Sequence, residues 1–245
     1  MASETLLAEM EACARSLGAL DIGYVSGMSA VGGEILDNGG VPHDNAVVFI
    51  VEMAKENIDL APSAETFGEV ARGYGTVAAV GNALTDLLRS HGHSAYPGTA
   101  LGGLTDYVAV AERAGLGAAG YHGLLIAPGS GARLRIGTVY TDIENLPVPA
   151  SNPHAWVRDF CAGCRRCVRS CPPGAILDSP RPRPGGGSTS IDSRTCNDFF
   201  SVNHGCAVCV KVCPFSHAGY GVVKAGHDVK TAHDATAQDA AGSRT

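Results

Sequence analysis

Two cysteine strings in the last third of the chain constrain its fold most. The first string is closed by Pro172 and has steps of three, three and four residues: Cys161, Cys164, Cys167 and Cys171. The second is closed by Pro214 and follows an isolated cysteine by ten residues: Cys196, then Cys206, Cys209 and Cys213. Eight of the nine cysteines therefore fall within one short segment, which must fold so as to bring them together.

This spacing is that of the bacterial ferredoxin run. Three thiolates of such a string bind one 4Fe–4S cluster, and the fourth, redirected by the proline, binds the other cluster. The sequence therefore predicts two 4Fe–4S clusters with crossed ligands. The first cluster would be held by Cys161, Cys164, Cys167 and Cys213. The second would be held by Cys171, Cys196, Cys206 and Cys209.

Other uses of cysteine fit the pattern less well. A structural zinc site uses paired C-x-x-C knuckles, so a third cysteine at the next three-residue step would have no role. Haem attachment needs a histidine after the second cysteine, where this chain has Arg165 and Val210. Disulfides need an oxidising compartment, and nothing in the sequence indicates export. Cys13, outside the strings, is expected to be a small buried hydrophobe.

Length, charge and composition bound the rest of the molecule. The chain has 245 residues, and the cysteine-rich part needs roughly 60–70 of them, which leaves enough for a separate core. The net charge is −6 and there is no long basic stretch, so we expect no nucleic-acid partner. Met1-Ala2-Ser3-Glu4 lacks the basic start of a signal peptide, and no 18-residue apolar run occurs. These features predict a cytoplasmic protein without membrane association.

Hydrophobic periodicity predicts an α/β (α+β) domain over residues 1–152, ahead of a ferredoxin-like double 4Fe–4S domain over 153–222. Helices are expected over 3–19, 63–91 and 105–114, and strands over 20–25, 46–51, 124–127 and 133–142. Three prolines make residues 147–153 a stiff connector, and the Pro/Gly/Ser-rich residues 179–190 are expected to form a surface loop. Residues 223–245 have no periodicity and are expected to be a mobile tail.

Residues 115–120 (GLGAAG) match the dinucleotide-binding pattern G-x-G-x-x-G. That pattern binds a dinucleotide only between a preceding strand and a following helix. Here the order is reversed, with a predicted helix before it and an apolar strand after it. The context argues against NAD(P) binding, although such glycines could still let the backbone lie flat against a large planar ligand.

The chain also resembles a known family. Residues 114–128 (AGLGAAGYHGLLIAP), a glycine turn and residues 133–142 (RLRIGTVYTD) lead directly into the cysteine strings. This order is similar to that of the corrinoid-dependent reductases, which include reductive dehalogenases and epoxyqueuosine reductase. The motifs Phe160-Cys161, CPPGAI from Cys171 and CPFS from Cys213 lean toward the dehalogenases. The resemblance covers roughly residues 64–216.

The resemblance implies base-off cobalamin held between the two domains and reduced by the nearer cluster. Its binding site would include a set of loop residues: Gly115, Gly117, Gly120, Tyr121, His122, Gly123 and Gly129. Tyr74 falls at the position of the family's proton donor, although it could equally pack in the core. Tyr121 stands where the family commonly has a basic residue, so Tyr121 or His122 would assist catalysis in its place. For His122, a plain turn histidine bonded to backbone is the alternative.

The sequence thus supports two kinds of function. One is a reductase that uses cobalamin and 4Fe–4S clusters to cleave a carbon–halogen or carbon–oxygen bond of a small substrate. It would take electrons from an external ferredoxin or flavodoxin-type donor. The other is a two-cluster electron carrier that docks a partner reductase, or a module that handles cobalamin or flavin. The separate glycine-rich domain favours the reductase, since a carrier does not need it.

Overall fold

The computed structural model describes residues 1–28, 40–99, 103–182 and 188–242. The first part of the chain is built on an antiparallel sheet in the order β1-β2-β6-β3. Its strands are β1 (Ala19–Val25), β2 (Asn45–Glu52), β3 (Ala95–Pro97) and β6 (Leu134–Thr141). Its helices are α1 (Glu4–Ser16), α2 (Lys55–Ile58), α3 (Ala64–Ser90) and α4 (Tyr107–Arg113). A small hairpin pairs β4 (Ala118–Ala119) with β5 (Leu125–Ile126).

The central strand β2 explains how this part is layered. Its side chains alternate between the two faces of the sheet, as the pleat requires. Val47, Phe49 and Val51 pack with α1 and α3 on one face. Val48 and Ile50 pack with α4 and the β4–β5 hairpin on the other face. Both faces are covered, so a nearly continuous apolar sequence is buried at this position.

The second part contains the cysteines on short helices. These helices are α5 (Trp156–Cys164), α6 (Arg166–Ser170), α7 (Ser193–Val202), α8 (Val208–Lys211) and α9 (Pro214–His217). A hairpin of β7 (Ile176–Pro182) and β8 (Ser188–Ile191) separates the two cysteine strings, and α10 (Tyr220–Gly242) follows them. None of the helices in the described ranges is long and apolar enough to cross a membrane.

The predicted helices and long strands of the first part are present with small shifts at their ends. Two expectations for the second part are wrong. Most of the described part of the expected loop 179–190 belongs to the β7–β8 hairpin, while residues 183–187 lie outside the described part of the chain. The expected tail from residue 223 is helical to Gly242, because its alanine-rich sequence favours helix and Val223 is buried against the cysteine helices.

The two parts share a third apolar cluster. Met53, Val70 and Ile126 from the first part pack in it with residues of the second, among them Cys161 and Phe215. The turn after β5 fixes the contact: a side chain at Gly131 would overlap the Phe215 backbone, and the Ala132 N–H donates to Ser216 Oγ at 3.1 Å. The cysteine helices therefore lie directly against the end of the sheet.

Candidate functional site

The structure sorts the eight string cysteines into two neighbouring groups. The pKa of the Cys161 thiol is raised to about 12, chiefly by burial, with smaller contributions from three nearby cysteines: Cys213, Cys164 and Cys167. Burial likewise raises the pKa of Cys209 to about 12, with contributions from Cys196, Cys206, Cys167 and Cys171. These charge neighbours are compatible with the two predicted ligand sets, which stay a prediction, and Cys167 contributes to both groups.

Both groups suit iron clusters better than single ions. Within the described ranges, no three His, Cys, Asp or Glu side chains converge on a point that could hold one metal ion. A cubane has a different requirement, because its four irons keep the four cysteine sulfurs apart. A backbone N–H group also points at a sulfur, as around protein-bound clusters: the Ala175 N–H donates to Cys171 Sγ at 3.2 Å.

The two groups differ in their exposure. In the first group, Cys161, Cys167 and Cys213 are buried and lie in the shared apolar cluster or at its edge. In the second group, Cys196 on α7 is exposed. The first group therefore faces the interior between the two parts, and the second lies nearer to solvent.

A cavity beside the first group contains residues from both parts. It is lined by Tyr121 and His122 from the loop between β4 and β5, and by residues of the cysteine helices. Four of those are the cysteines of the first group: Cys161, Cys164, Cys167 and Cys213. The glycine loop thus reaches the cluster site, as the sequence predicted, but with its side chains rather than with a bare backbone.

His122 is deeply buried in this cavity wall, with 4% of its surface exposed. Its Nδ1 accepts a hydrogen bond from the Leu124 N–H at 3.2 Å, which matches the backbone-bonded turn histidine considered above. Burial lowers the pKa of His122 to about 4, so the ring is neutral at neutral pH. A neutral buried imidazole does not supply the positive charge that members of the resembled family commonly have in this loop.

Tyr121 serves as a structural anchor. Its hydroxyl donates to the Asp178 carbonyl oxygen at 2.9 Å, and the Arg165 guanidinium lies 3.8 Å from its ring centroid. Arg165 also donates to the same carbonyl. The side chain therefore ties the loop to β7, and its hydroxyl proton is already engaged. This arrangement does not support the predicted catalytic role of Tyr121.

Tyr74 occupies a different setting. It lies on α3, is half-buried and packs at the shared apolar cluster, and no protein group in the described ranges bonds to its hydroxyl. The Arg135 guanidinium lies 4.6 Å from the centroid of the Tyr74 ring. Arg135 is buried deeply enough that desolvation lowers its pKa, and its Nε has no partner. A phenol with a free hydroxyl and a desolvated cation therefore stand side by side.

Arg135 is the residue that the sequence analysis missed. The signal was a charged residue inside the otherwise apolar start of β6, where a cation is costly unless something uses it. Because β6 pairs with β2 and α3 crosses the same face, Arg135 meets Tyr74 although 61 positions separate them in the sequence. The sheet thus places a cation beside the ring of Tyr74.

The glycines of the loop are required by the protein's own packing. A Cβ on Gly117 would overlap the carbonyl oxygen of Ile126, and a Cβ on Gly120 would lie 2.6 Å from Ile126 Cδ1 and 2.8 Å from His122 Cε1. The other three predicted glycines have positive φ: Gly115, Gly123 and Gly129. The space in front of Gly117 and Gly120 is filled by β5 and His122. These two glycines therefore do not form an open cradle for a planar ring.

Comparisons with known proteins agree with the expected resemblance. Residues 160–217 match the family model described as a 4Fe-4S dicluster domain. The chain is 34% identical over 191 residues to a tetrachloroethene reductive dehalogenase of Dehalobacter restrictus, covering 72% of this chain and 34% of that protein. It is 33% identical over 135 residues to an epoxyqueuosine reductase of Listeria monocytogenes, covering 52% of this chain and 31% of that protein.

Solved structures show the same fold. A catabolic reductive dehalogenase superposes with a TM-score of 0.76 at 23% identity, covering 95% of this chain and 35% of that one. An epoxyqueuosine reductase from Bacillus subtilis superposes with a TM-score of 0.56 at 20% identity, covering 87% and 66%. The chain spans about a third of the length of the curated relatives it matches. Those relatives are oxidoreductases, and the expected resemblance to reductive dehalogenases and epoxyqueuosine reductases is confirmed.

Proposed function

We propose that this chain is the catalytic part of an iron–sulfur reductase that cleaves a carbon–halogen or carbon–oxygen bond of a small organic substrate. The observation that carries the proposal is the Tyr74–Arg135 pair beside the first cysteine group. Electron transfer alone would require only the cysteines that hold the clusters. A free phenolic hydroxyl next to a desolvated cation adds a place where a reduced carbon can take up a proton.

The exposure of the cysteines gives the direction of electron flow. Cys196 of the second group is exposed, so an external low-potential donor of the ferredoxin or flavodoxin type would reduce the second cluster. Cys167 of the first group and Cys209 of the second lie within electrostatic range of each other, which makes transfer between adjacent clusters short. The buried first cluster then delivers electrons on the side where Tyr74 and His122 lie.

Tyr74 and Arg135 would act together on the proton. When the substrate bond breaks reductively, the departing group leaves with an electron pair and the carbon must be protonated. The Tyr74 O–H donates that proton, and the phenolate formed is stabilised by the Arg135 guanidinium over its ring. The partial burial of Arg135 lowers the effective dielectric around this pair and so strengthens the interaction.

The corrinoid that the sequence resemblance implies is supported by one relative. One matched structure is that of a reductive dehalogenase and suggests a mechanism for B12-dependent dehalogenation. Such a corrinoid would supply a strong nucleophile and reductant. Gly117 and Gly120, the residues expected to lie flat against it, do not fit that role, since their space is filled by protein. We therefore derive no step of the reaction through this group.

The same finding favours a second function, a two-cluster electron carrier that docks a partner reductase. Without a glycine cradle, the first part of the chain could serve only to present the buried cluster to that partner. The two functions differ at Tyr74. A carrier has no use for a proton donor, so its electron transfer would be indifferent to the hydroxyl.

The test is the spectrum and turnover of the anaerobically purified protein. We expect close to eight irons per chain and turnover of small halogenated substrates with a reduced ferredoxin. Added cobalamin tests whether a corrinoid binds although the space at Gly117 and Gly120 is filled. Iron at that level with no response to cobalamin, and no turnover of any halogenated or epoxide substrate, would favour the carrier. Iron well below eight per chain would contradict both.

A further inference from the structure

His122 has an unused hydrogen-bond donor. Its Nδ1 accepts from the Leu124 N–H, so the proton of the neutral ring is on Nε2. Nε2 is fully buried and has no protein partner. Among the described residues His122 is the one histidine classed as buried. Buried donors almost always have an acceptor, so this N–H points to an acceptor that is not part of the polypeptide.

The position of the ring is fixed from two sides. The Leu124 N–H holds Nδ1, and the absence of a side chain at Gly120 leaves room for the ring, whose Cε1 would lie 2.8 Å from a Cβ there. The imidazole therefore cannot turn away without losing the Leu124 hydrogen bond. His122 thus stays in the wall of the cavity beside the first cysteine group, with its Nε2 buried.

The cavity that His122 lines is formed by cysteine sulfurs, aromatic rings and the two arginines Arg165 and Arg166. The cavity that His122 lines contains all four cysteines of the first group, together with Phe160 and Phe215. An N–H group already reaches a sulfur of the second group, since the Ala175 N–H donates to Cys171 Sγ at 3.2 Å. A donor at His122 would extend this pattern to the first group.

We propose that His122 Nε2–H donates a hydrogen bond to a sulfur of the first 4Fe–4S cluster and thereby raises the reduction potential of that cluster. Hydrogen bonds to the sulfurs stabilise the more negative, reduced cluster, which is one of the protein's main controls on its potential. His122 is thus a tuning residue rather than an acid or base. The inference rests on the proposed presence of the clusters, and it holds for the reductase and for the carrier alike.

The direct test uses the unmutated chain. Protein labelled with ¹⁵N-histidine is purified anaerobically and reduced, and pulsed electron paramagnetic resonance measures couplings between the cluster spin and nearby ¹⁵N. We expect a weak ¹⁵N coupling and an exchangeable proton coupling in the reduced protein. A cluster signal of normal intensity without a histidine coupling would overturn the inference, with water or nothing at Nε2, while leaving the proposed function intact.

Variants then separate hydrogen bonding from packing. His122→Leu should move the reduction potential of one cluster to a more negative value and remove the ¹⁵N coupling. His122→Gln keeps an N–H donor, so its reduction potential should lie closer to that of the unmutated protein. His217→Leu, at an exposed position on α9, is the matched control and should change neither potential. Equal shifts in the Leu and Gln variants, or no shift in a His122→Leu protein with full iron content, would contradict the proposal.

Discussion

Tyr74 and Arg135 illustrate how the site depends on single side chains. The apolar stripe of α3 predicts that Tyr74 packs inward, and in the structure it does so only in part, because the Arg135 guanidinium covers its ring. Burying a cation without an anionic partner is costly. A phenol that becomes negative when it gives up its proton would be the partner that this cation lacks.

We predict that Tyr74→Phe slows turnover by about 10²–10⁴-fold, the usual contribution of a general acid, with iron content unchanged. Single-turnover kinetics measures this, provided that the substrate is known. Tyr96→Phe is the control, since Tyr96 is an exposed tyrosine on β3. If Tyr74→Phe is fully active and Tyr121→Phe is dead, the proton donor lies in the loop instead.

We also predict that Cys213→Ala damages the first cluster although Cys213 belongs to the second cysteine string. Cys213 is buried, and its electrostatic neighbours include Cys167 and Cys164 of the first string. The variant should lose the signal of the buried cluster and keep that of the cluster near Cys196. Resonance Raman or paramagnetic resonance spectra, with Cys196→Ala as the reciprocal variant, distinguish the two. Loss of only the cluster held by Cys206 and Cys209 would contradict the crossed assignment.

Among the structural elements, the β4–β5 hairpin has a packing role that its G-x-G-x-x-G pattern did not predict. The G-x-G-x-x-G pattern, read as a ligand loop, is here a hairpin whose glycines let two strands and His122 pack closely. Its short strands bring Tyr121 and His122 to the cluster cavity. The hairpin is thus a bridge between the sheet and the cysteine helices.

We therefore predict that Gly117→Ala destabilises the protein by about 1–3 kcal/mol, the usual cost of overpacking, whether or not cobalamin is present. The added methyl group would overlap the Ile126 carbonyl in the paired strand. Gly68→Ala is the control: it lies in α3 with open space around it and should stabilise by roughly 0.5–1 kcal/mol. Anaerobic denaturant titration measures both. A Gly117→Ala protein of normal stability that fails to bind cobalamin would restore the cradle interpretation.

The elements that sequence reasoning predicted share a physical property. The long helix α3 and the apolar strand β2 carry periodic patterns set by burial, so their positions could be predicted. The β7–β8 hairpin and α10 could not, because neither segment carries a periodic apolar pattern; α10 forms from helix propensity and the burial of Val223. The cysteine ligand sets stay a prediction from spacing. The Tyr74–Arg135 pair did not, since it depends on how α3 crosses the sheet.

At the scale of the whole molecule, the two parts share one core around the first cluster site. Met53 and Ile126 of the first part contact the same apolar cluster as Cys161 and Cys213. The opposite face of the sheet has its own core with α1 and contains no string cysteine. Cluster assembly is therefore expected to stabilise one side of the first part and to leave the other side independent.

This arrangement predicts where the protein loosens when iron is removed. Loss of iron leaves a gap beside the buried Cys161 and Cys213. Their thiols are then protonated, because burial raises their pKa values to about 12 and about 11. Metal binding that organises a site contributes directly to folding, so its loss should destabilise the groups packed on that site.

Hydrogen exchange of the holo protein and of the chelator-treated protein measures this effect. We expect faster exchange in β5 and the turn to Ala132, and unchanged exchange in α1 and in the half of α3 after Val77, which pack in the other core. Uniformly faster exchange over the whole chain would mean that the sheet depends on iron throughout, and no change near Ala132 would mean that the two parts are not coupled.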